Sequence, residues 1–174
     1  MRAMAYRICL LAAMIFLMCI DSLAQNRYRA EVFGSLGVGQ YVNLFGPSKA
    51  EPNVGGGVGI RPFSVDRPFA LRMLGGEFEA NFTRGNSLFS EPTQGFFTGN
   101  LVLHFPVGRV EPYLLVGAGA SHRGSETHRA GDVGAGAKIF VTPHISLRPE
   151  IRGFVTKYSG GDFVRFSVGL GYHW

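Results

Sequence analysis

The sequence predicts an all-β fold: an eight-stranded antiparallel up-and-down transmembrane β-barrel preceded by a cleavable signal peptide. Three observations carry this. Beyond residue 24, hydropathy alternates with a period of two, the mark of strands, and no segment shows a helical period. Glycine makes up 25 of 174 residues, about twice its usual share of roughly 7%, and it lies inside apolar segments rather than in a linker. Charged residues are only 17%, against about 25% in ordinary soluble domains.

Residues 1–24 read as the leader. Arg2 and Arg7 give a positive start, "ICLLAAMIFLMCI" an apolar run, and Ser22-Leu23-Ala24 small residues where a signal peptidase reads. The run is about 13 residues, short of the roughly 20 that a spanning helix needs. The mature domain is then 25–174. Both cysteines, Cys9 and Cys19, fall in the leader, which excludes disulfides and cysteine-held metals from the domain. The net charge of +5 is mild and unclustered, so a nucleic-acid partner, which needs a concentrated basic footprint, is not expected.

Eight strands are expected at 27–40, 53–63, 71–83, 95–105, 110–121, 130–141, 145–156 and 162–174. "PVGR" and "TPH" are short proline-containing turns. "YVNLFGPSKAEP", "GNSLFSEPTQ" and "HRGSETHR" are longer, polar connections, while the last, "SGG", is short. Short turns alternating with longer loops suit an up-and-down barrel, and closure requires the first strand to pair with the last.

Sorting each strand by parity separates two faces. In the last strand, Val164, Phe166, Val168, Leu170, Tyr172 and Trp174 oppose Arg165, Ser167, Gly169, Gly171 and His173. The strands at 27–40, 53–63, 71–83, 130–141 and 145–156 divide similarly; those at 95–105 and 110–121 are less clean. A soluble barrel and a membrane barrel both alternate. The polar face here is mostly glycine and serine with sparse charges, which suits the narrow interior of eight strands better than a solvated surface. Ten charges are expected to point inward and pair as a structural network: Glu31, Glu77, Glu79, Asp132 and Glu150 with Arg61, Lys138, Arg148, Arg152 and Arg165. Tyr28, Phe63, Phe69, Phe105, Tyr113, Phe140, Tyr158, Tyr172 and Trp174 lie near strand ends, as interfacial girdles require. A soluble periplasmic barrel is the fold alternative.

"VEPYLLVGAGAS", "ISLRPEIRGFV" and the terminal "FSVGLGYHW" resemble the small bacterial outer-membrane β-barrels of the OmpA and OmpX type, the outer membrane protein beta-barrel domain family. The resemblance covers about 27–174. It implies export to the outer membrane of a bacterium and contact with outer-membrane lipid. It also implies recognition of the last strand by the barrel-assembly machinery. Phe166, Val168, Leu170, Tyr172 and Trp174 form that assembly signal, although such proteins more commonly end in phenylalanine. A monomer without a cofactor is expected, and no separate peptidoglycan-binding domain.

The function expected is non-enzymatic: a structural or surface-interaction role through the external loops, with the surface ligand open. A narrow conduit for ions or small hydrophobic molecules is one alternative, and a lipid A-modifying enzyme another. Ser121-His122 and Ser125-Glu126-Thr127-His128 place serine, histidine and carboxylate in one expected loop, but proximity in sequence does not supply triad geometry. The His-x-Ser-Asn stretch of the small lipid A deacylases is missing. His104, His122, His128, His144 and His173 lack the ligand density of a metal site. "GGGVG" at 55–59 has neither the lysine nor the helix of a phosphate loop.

Overall fold

The computed structural model describes residues 29–43, 46–47, 50–62, 68–84, 93–156 and 162–174. The leader expected at 1–24 lies outside them, as do Tyr28, Phe63 and Tyr158. Eight long strands form the wall: β1 (Ala30–Asn43), β3 (Glu51–Ile60), β4 (Leu74–Thr83), β5 (Gln94–His104), β6 (Val110–Arg123), β7 (Glu126–Phe140), β8 (Ile145–Thr156) and β9 (Asp162–His173). The two-residue β2 (Gly46–Pro47) folds back on the end of β1, and a single helical turn, α1 (Phe69–Arg72), precedes β4.

Each wall strand pairs antiparallel with its neighbour, and the sheet closes β1 onto β9 from Glu31↔His173 to Val42↔Asp162. Backbone bonds continue the seam to the end of the chain: Arg29 N–H to the Trp174 carbonyl at 2.9 Å, and Trp174 N–H to the Ala30 carbonyl at 3.1 Å. Closure leaves no long open edge, the condition for a sheet to sit in hydrocarbon.

Three expectations about the bounds of strands and loops are corrected. The strand expected from residue 71 begins at Leu74. Its first residues belong to the turn in which the Pro68 carbonyl accepts the Leu71 and Arg72 N–H groups, at 2.9 and 3.3 Å; proline's fixed φ favours such a helical start. "HRGSETHR" is not a loop. Arg123↔Glu126, His122↔Thr127 and Ser121↔His128 are ladder pairs around a turn at Gly124, whose φ of 62° permits a two-residue hairpin. The connection after β1 is also shorter than expected, because β1 runs to Asn43 and β3 starts at Glu51.

Leu36, Val58, Leu101, Val116, Val133 and Leu170 are each more than half exposed on the outer wall, whereas Arg152, Arg165, Lys138 and His173 are buried inside. A water-soluble barrel would show the reverse. A continuous apolar belt in water is an aggregation hazard; in lipid it is the required surface. Tyr172 and Trp174 stack on this belt with centroids 6.1 Å apart, and His144 stacks on Tyr172 at 6.0 Å. Tyr113 leaves the expected girdle: it is 1% exposed and points into the lumen.

Candidate functional site

The lumen is the densest concentration of polar chemistry in the described residues. Its walls are the inward parity of every long strand. Gly117 shows how the room is made: a Cβ there would collide with Asn100 Oδ1, Asp132 Oδ1 and the Gly99 carbonyl.

The contents fall into layers. Nearest Arg29 and Trp174, Arg61 pairs with Glu111, and His104 Nδ1 lies 3.0 Å from the same carboxylate. Lys138 Nζ donates to Glu31 Oε1 at 2.6 Å. One level up, Arg148 reaches Glu31, Glu77 and Glu150, with its Nε donating to the Tyr113 hydroxyl at 2.8 Å. Tyr113 in turn donates to Glu150 Oε2 at 2.7 Å. The Arg148 guanidinium also lies over the Phe33 ring, 3.8 Å from its centroid, a cation–π contact. At mid-height Arg152 contacts Glu77 (3.0 Å), Glu79 (2.7 Å), Asp132 (3.1 Å) and Glu150 (3.0 Å), and Arg165 binds Glu79 and Glu150.

Above the charges lies a neutral polar layer. Asn53 Nδ2 donates to Thr83 Oγ1 at 2.8 Å, and Gln94 Nε2 to Ser121 Oγ at 2.7 Å. The loop end is filled by Phe96, Phe154 and Phe163, each 1% exposed, with Tyr41 packed against them. Phe96 lies 4.4 Å from Phe154 and 5.4 Å from Phe163, centroid to centroid.

The structure brings all ten charges predicted from the sequence into this interior, each no more than 8% exposed. It adds Glu111, which sequence reasoning missed, so six carboxylates face five permanent cations, with His104 and His173 alongside. Both histidines carry the inward parity of their strands, which was the signal available. Glu77, Glu79 and Glu150 bring carboxylate oxygens within 4.8 Å of one another, close enough for a metal ion. Arg148, Arg152 and Arg165 already supply the positive charge there.

A second constellation escaped the sequence. Ser146 Oγ lies 2.7 Å from His173 Nε2, and His173 Nδ1 lies 3.3 Å from Glu31 Oε2. Serine, histidine and carboxylate thus stand in the order of a hydrolytic triad. They come from β8, β9 and β1, and all three are buried, at 0%, 0% and 3% exposure. Phe140 packs on His173, 5.0 Å between ring centroids. Attack on an ester also needs a place for the acyl group beside the serine, whereas Ser146 is fully buried and a Cβ at Gly171 would already lie 3.0 Å from its Oγ. What the arrangement does here is join three strands across the closing seam. His122, Ser125 and His128, the loop candidates, form no such line: His122 Nδ1 meets Thr127 Oγ1 at 2.9 Å and His128 Nε2 meets Glu126 Oε2 at 3.1 Å.

With a closed eight-strand wall, an apolar exterior and a charge-filled interior established, comparison with known proteins decides the family. The profile of the outer membrane protein beta-barrel domain matches residues 8–173. The chain belongs to that family. No curated protein matches it. Among solved structures, it is similar to Neisserial surface protein A, with a TM-score of 0.63 at 15% identity, covering 83% of this chain and 97% of that one. Ail, the attachment invasion locus protein of Yersinia pestis, crystallised with the heparin analogue sucrose octasulfate, gives 0.55 at 15%, covering 84% and 99%. The outer membrane enzyme PagL gives 0.51 at 12%, covering 82% and 98%. At these identities the likeness is one of fold.

Proposed function

We propose that this family member is a sealed, non-enzymatic barrel of the bacterial outer membrane that acts through the surface it presents at its loop end. The observation that carries the reading is the filled lumen. Arg152, Arg165, Lys138, Phe96, Phe154 and Phe163 are all at or below 1% exposure. A continuous ion-pair network and an aromatic plug stand in series along the axis, which argues against the narrow-conduit alternative. What remains to interact is the outer wall and the loop end, the same parts available to the surface proteins it resembles in fold. The expectations of export by the 1–24 leader, of a monomer, and of recognition of Phe166, Val168, Leu170, Tyr172 and Trp174 by the assembly machinery belong to the same proposal. Those five side chains are all outward and more than half exposed.

Planar-bilayer recording of the folded protein tests the sealed lumen. Silence is expected; steady unitary steps would overturn it. Ser146, His173 and Glu31 favour a second reading, a hydrolase of acyl esters, as does the fold likeness to PagL. Burial of all three groups opposes it. Failure of a fluorophosphonate probe to label Ser146, together with intact lipid A after incubation, removes that reading; labelling lost in Ser146→Ala would establish it.

A further inference from the structure

We propose that a groove across the outer wall of β7, β8, β9 and β1 binds a single-chain lipid with a free hydroxyl beside its chain, as in a monoacyl glycerolipid. Two rows of outward residues, set by the register, form its edges. One is Ala135, Ile151, Phe166 and Val38; the other is Ala137, Pro149, Val168 and Leu36. Between the rows lie inward positions whose backbone makes the floor. Two of these are glycines held by close approach: a Cβ at Gly136 would strike the Tyr113 hydroxyl, and one at Gly37 the Phe166 carbonyl. The space is about 770 Å³, within the roughly 300–1,000 Å³ of small-ligand pockets. Both rows are wholly apolar. The groove crosses three strand spacings, or about 14 Å, a shape suited to one hydrocarbon chain.

The second observation is a hydrogen bond missing from the wall at one end of the groove. β7 and β8 pair without a break from Ala130↔Thr156 to Gly136↔Glu150, and resume in the same register at Ile139↔Leu147. The two pairs skipped are Ala137 with Pro149 and Lys138 with Arg148. On its other side β8 pairs with β9 continuously, Pro149↔Val168 included. The N–H that Pro149 lacks would therefore face β7, and the Ala137 carbonyl is left without its ladder donor. An unpaired backbone group is costly in hydrocarbon, and plain acyl chains offer it nothing, whereas a hydroxyl donates. The groove also climbs the wall. Ala137 is three residues from Phe140 at the end of β7, Pro149 four from Ile145, Val168 five from His173 and Leu36 six from Ala30. The carbonyl thus lies at the end nearer the turns, and the path leads from it toward mid-wall. A lipid with its hydroxyl near the interface and its chain running inward meets both features. Diacyl phosphatidylcholine, with both glycerol hydroxyls esterified, brings no donor to Ala137.

Full-length folded protein in detergent micelles is titrated with lysophosphatidylcholine and with monoacylglycerol, each against its O-methylated form, and with diacyl phosphatidylcholine. Bound lipid is counted by native mass spectrometry. A hydroxyl-bearing lipid is expected to be retained about fivefold or more over its methyl ether and over the diacyl lipid. The one held more tightly tells a phospholipid source from a neutral one. Pro149→Ala returns an N–H to the ladder, so it should erase the preference for the hydroxyl. Ala137→Leu fills the groove beside the carbonyl and should lower retention to that of the ether. Ala80→Leu, on β4 across the barrel, should bind as wild type does. Gel mobility with and without boiling verifies that each variant is folded. Equal retention of the hydroxyl lipids and their ethers by wild type overturns the proposal. So does a preference that survives Pro149→Ala, equal loss in Ala80→Leu and Ala137→Leu, or pairing of two barrels through this face in place of lipid.

Discussion

Glu111 is the residue at which the parity argument stopped, and its surroundings explain why. On β6 the inward face carries Tyr113 and Leu115 as well as Glu111, while the outward face carries Pro112, Leu114 and Val116. Both faces are apolar over this stretch, so hydropathy loses its period of two, and β5 is blurred in the same way by Phe96 and Val102 on the inside. Where glycine and charge alternate with bulk, as on β9, the face was legible at once. Burial makes the charges interdependent. Glu150 contacts Arg148, Arg152 and Arg165, so Glu150→Ala leaves several cations short of partners. It should cost about 3–5 kcal/mol, read as a shift of the urea midpoint in folded micelles or vesicles. Gly117→Val makes a different demand. Its side chain would strike two polar side chains and a backbone carbonyl, so the unboiled, fast-migrating gel species should be lost altogether, not merely shifted in stability.

At the scale of elements, the seam and the hairpins carry separate consequences. β1 and β9 meet only after the whole chain is laid out, and this pairing was legible in advance only through the requirement that a barrel close. It could not show that Ser146, His173 and Glu31 would meet there, because partners on three strands are decided by register. His173 links β9 to Ser146 on β8 and Glu31 on β1 inside the wall. His173→Ala should lower stability by roughly 1–3 kcal/mol, the cost of leaving buried polar partners unanswered, while the exposed His122→Ala should not, measured by the same urea titration. The hairpins test orientation. Gly108 and Gly124, with φ of 60° and 62°, turn the chain at opposite ends of β6. An epitope inserted at Gly124–Ser125 should be labelled on intact cells. One inserted at Gly108–Arg109 should be labelled only after the outer membrane is breached. The reverse pattern would invert the barrel.

For the whole molecule, the decisive relation is that chemistry and bulk have exchanged their usual places: ion pairs inside, aliphatic side chains outside. The composition foreshadowed it, since few charges and many glycines suit a thin wall around a narrow polar filling, but parity could not say which face was which. Lipid contact has a measurable signature. Val116 and Val133 are paired midway along the wall and are 57% and 61% exposed. Ile139 lies outward toward the Trp174 end, paired with Val110 beside the Gly108–Arg109 turn. If the belt contacts hydrocarbon, Val133→Arg should cost about 2–4 kcal/mol and Ile139→Arg about 0–1 kcal/mol, because the penalty for a charge falls from midplane to interface. Both are measured by reversible urea unfolding from phospholipid vesicles. In water the two substitutions are equivalent exposed changes and should differ little, so a flat profile along the wall would return the chain to the soluble-barrel alternative. A steep one ties the outward valines to lipid directly.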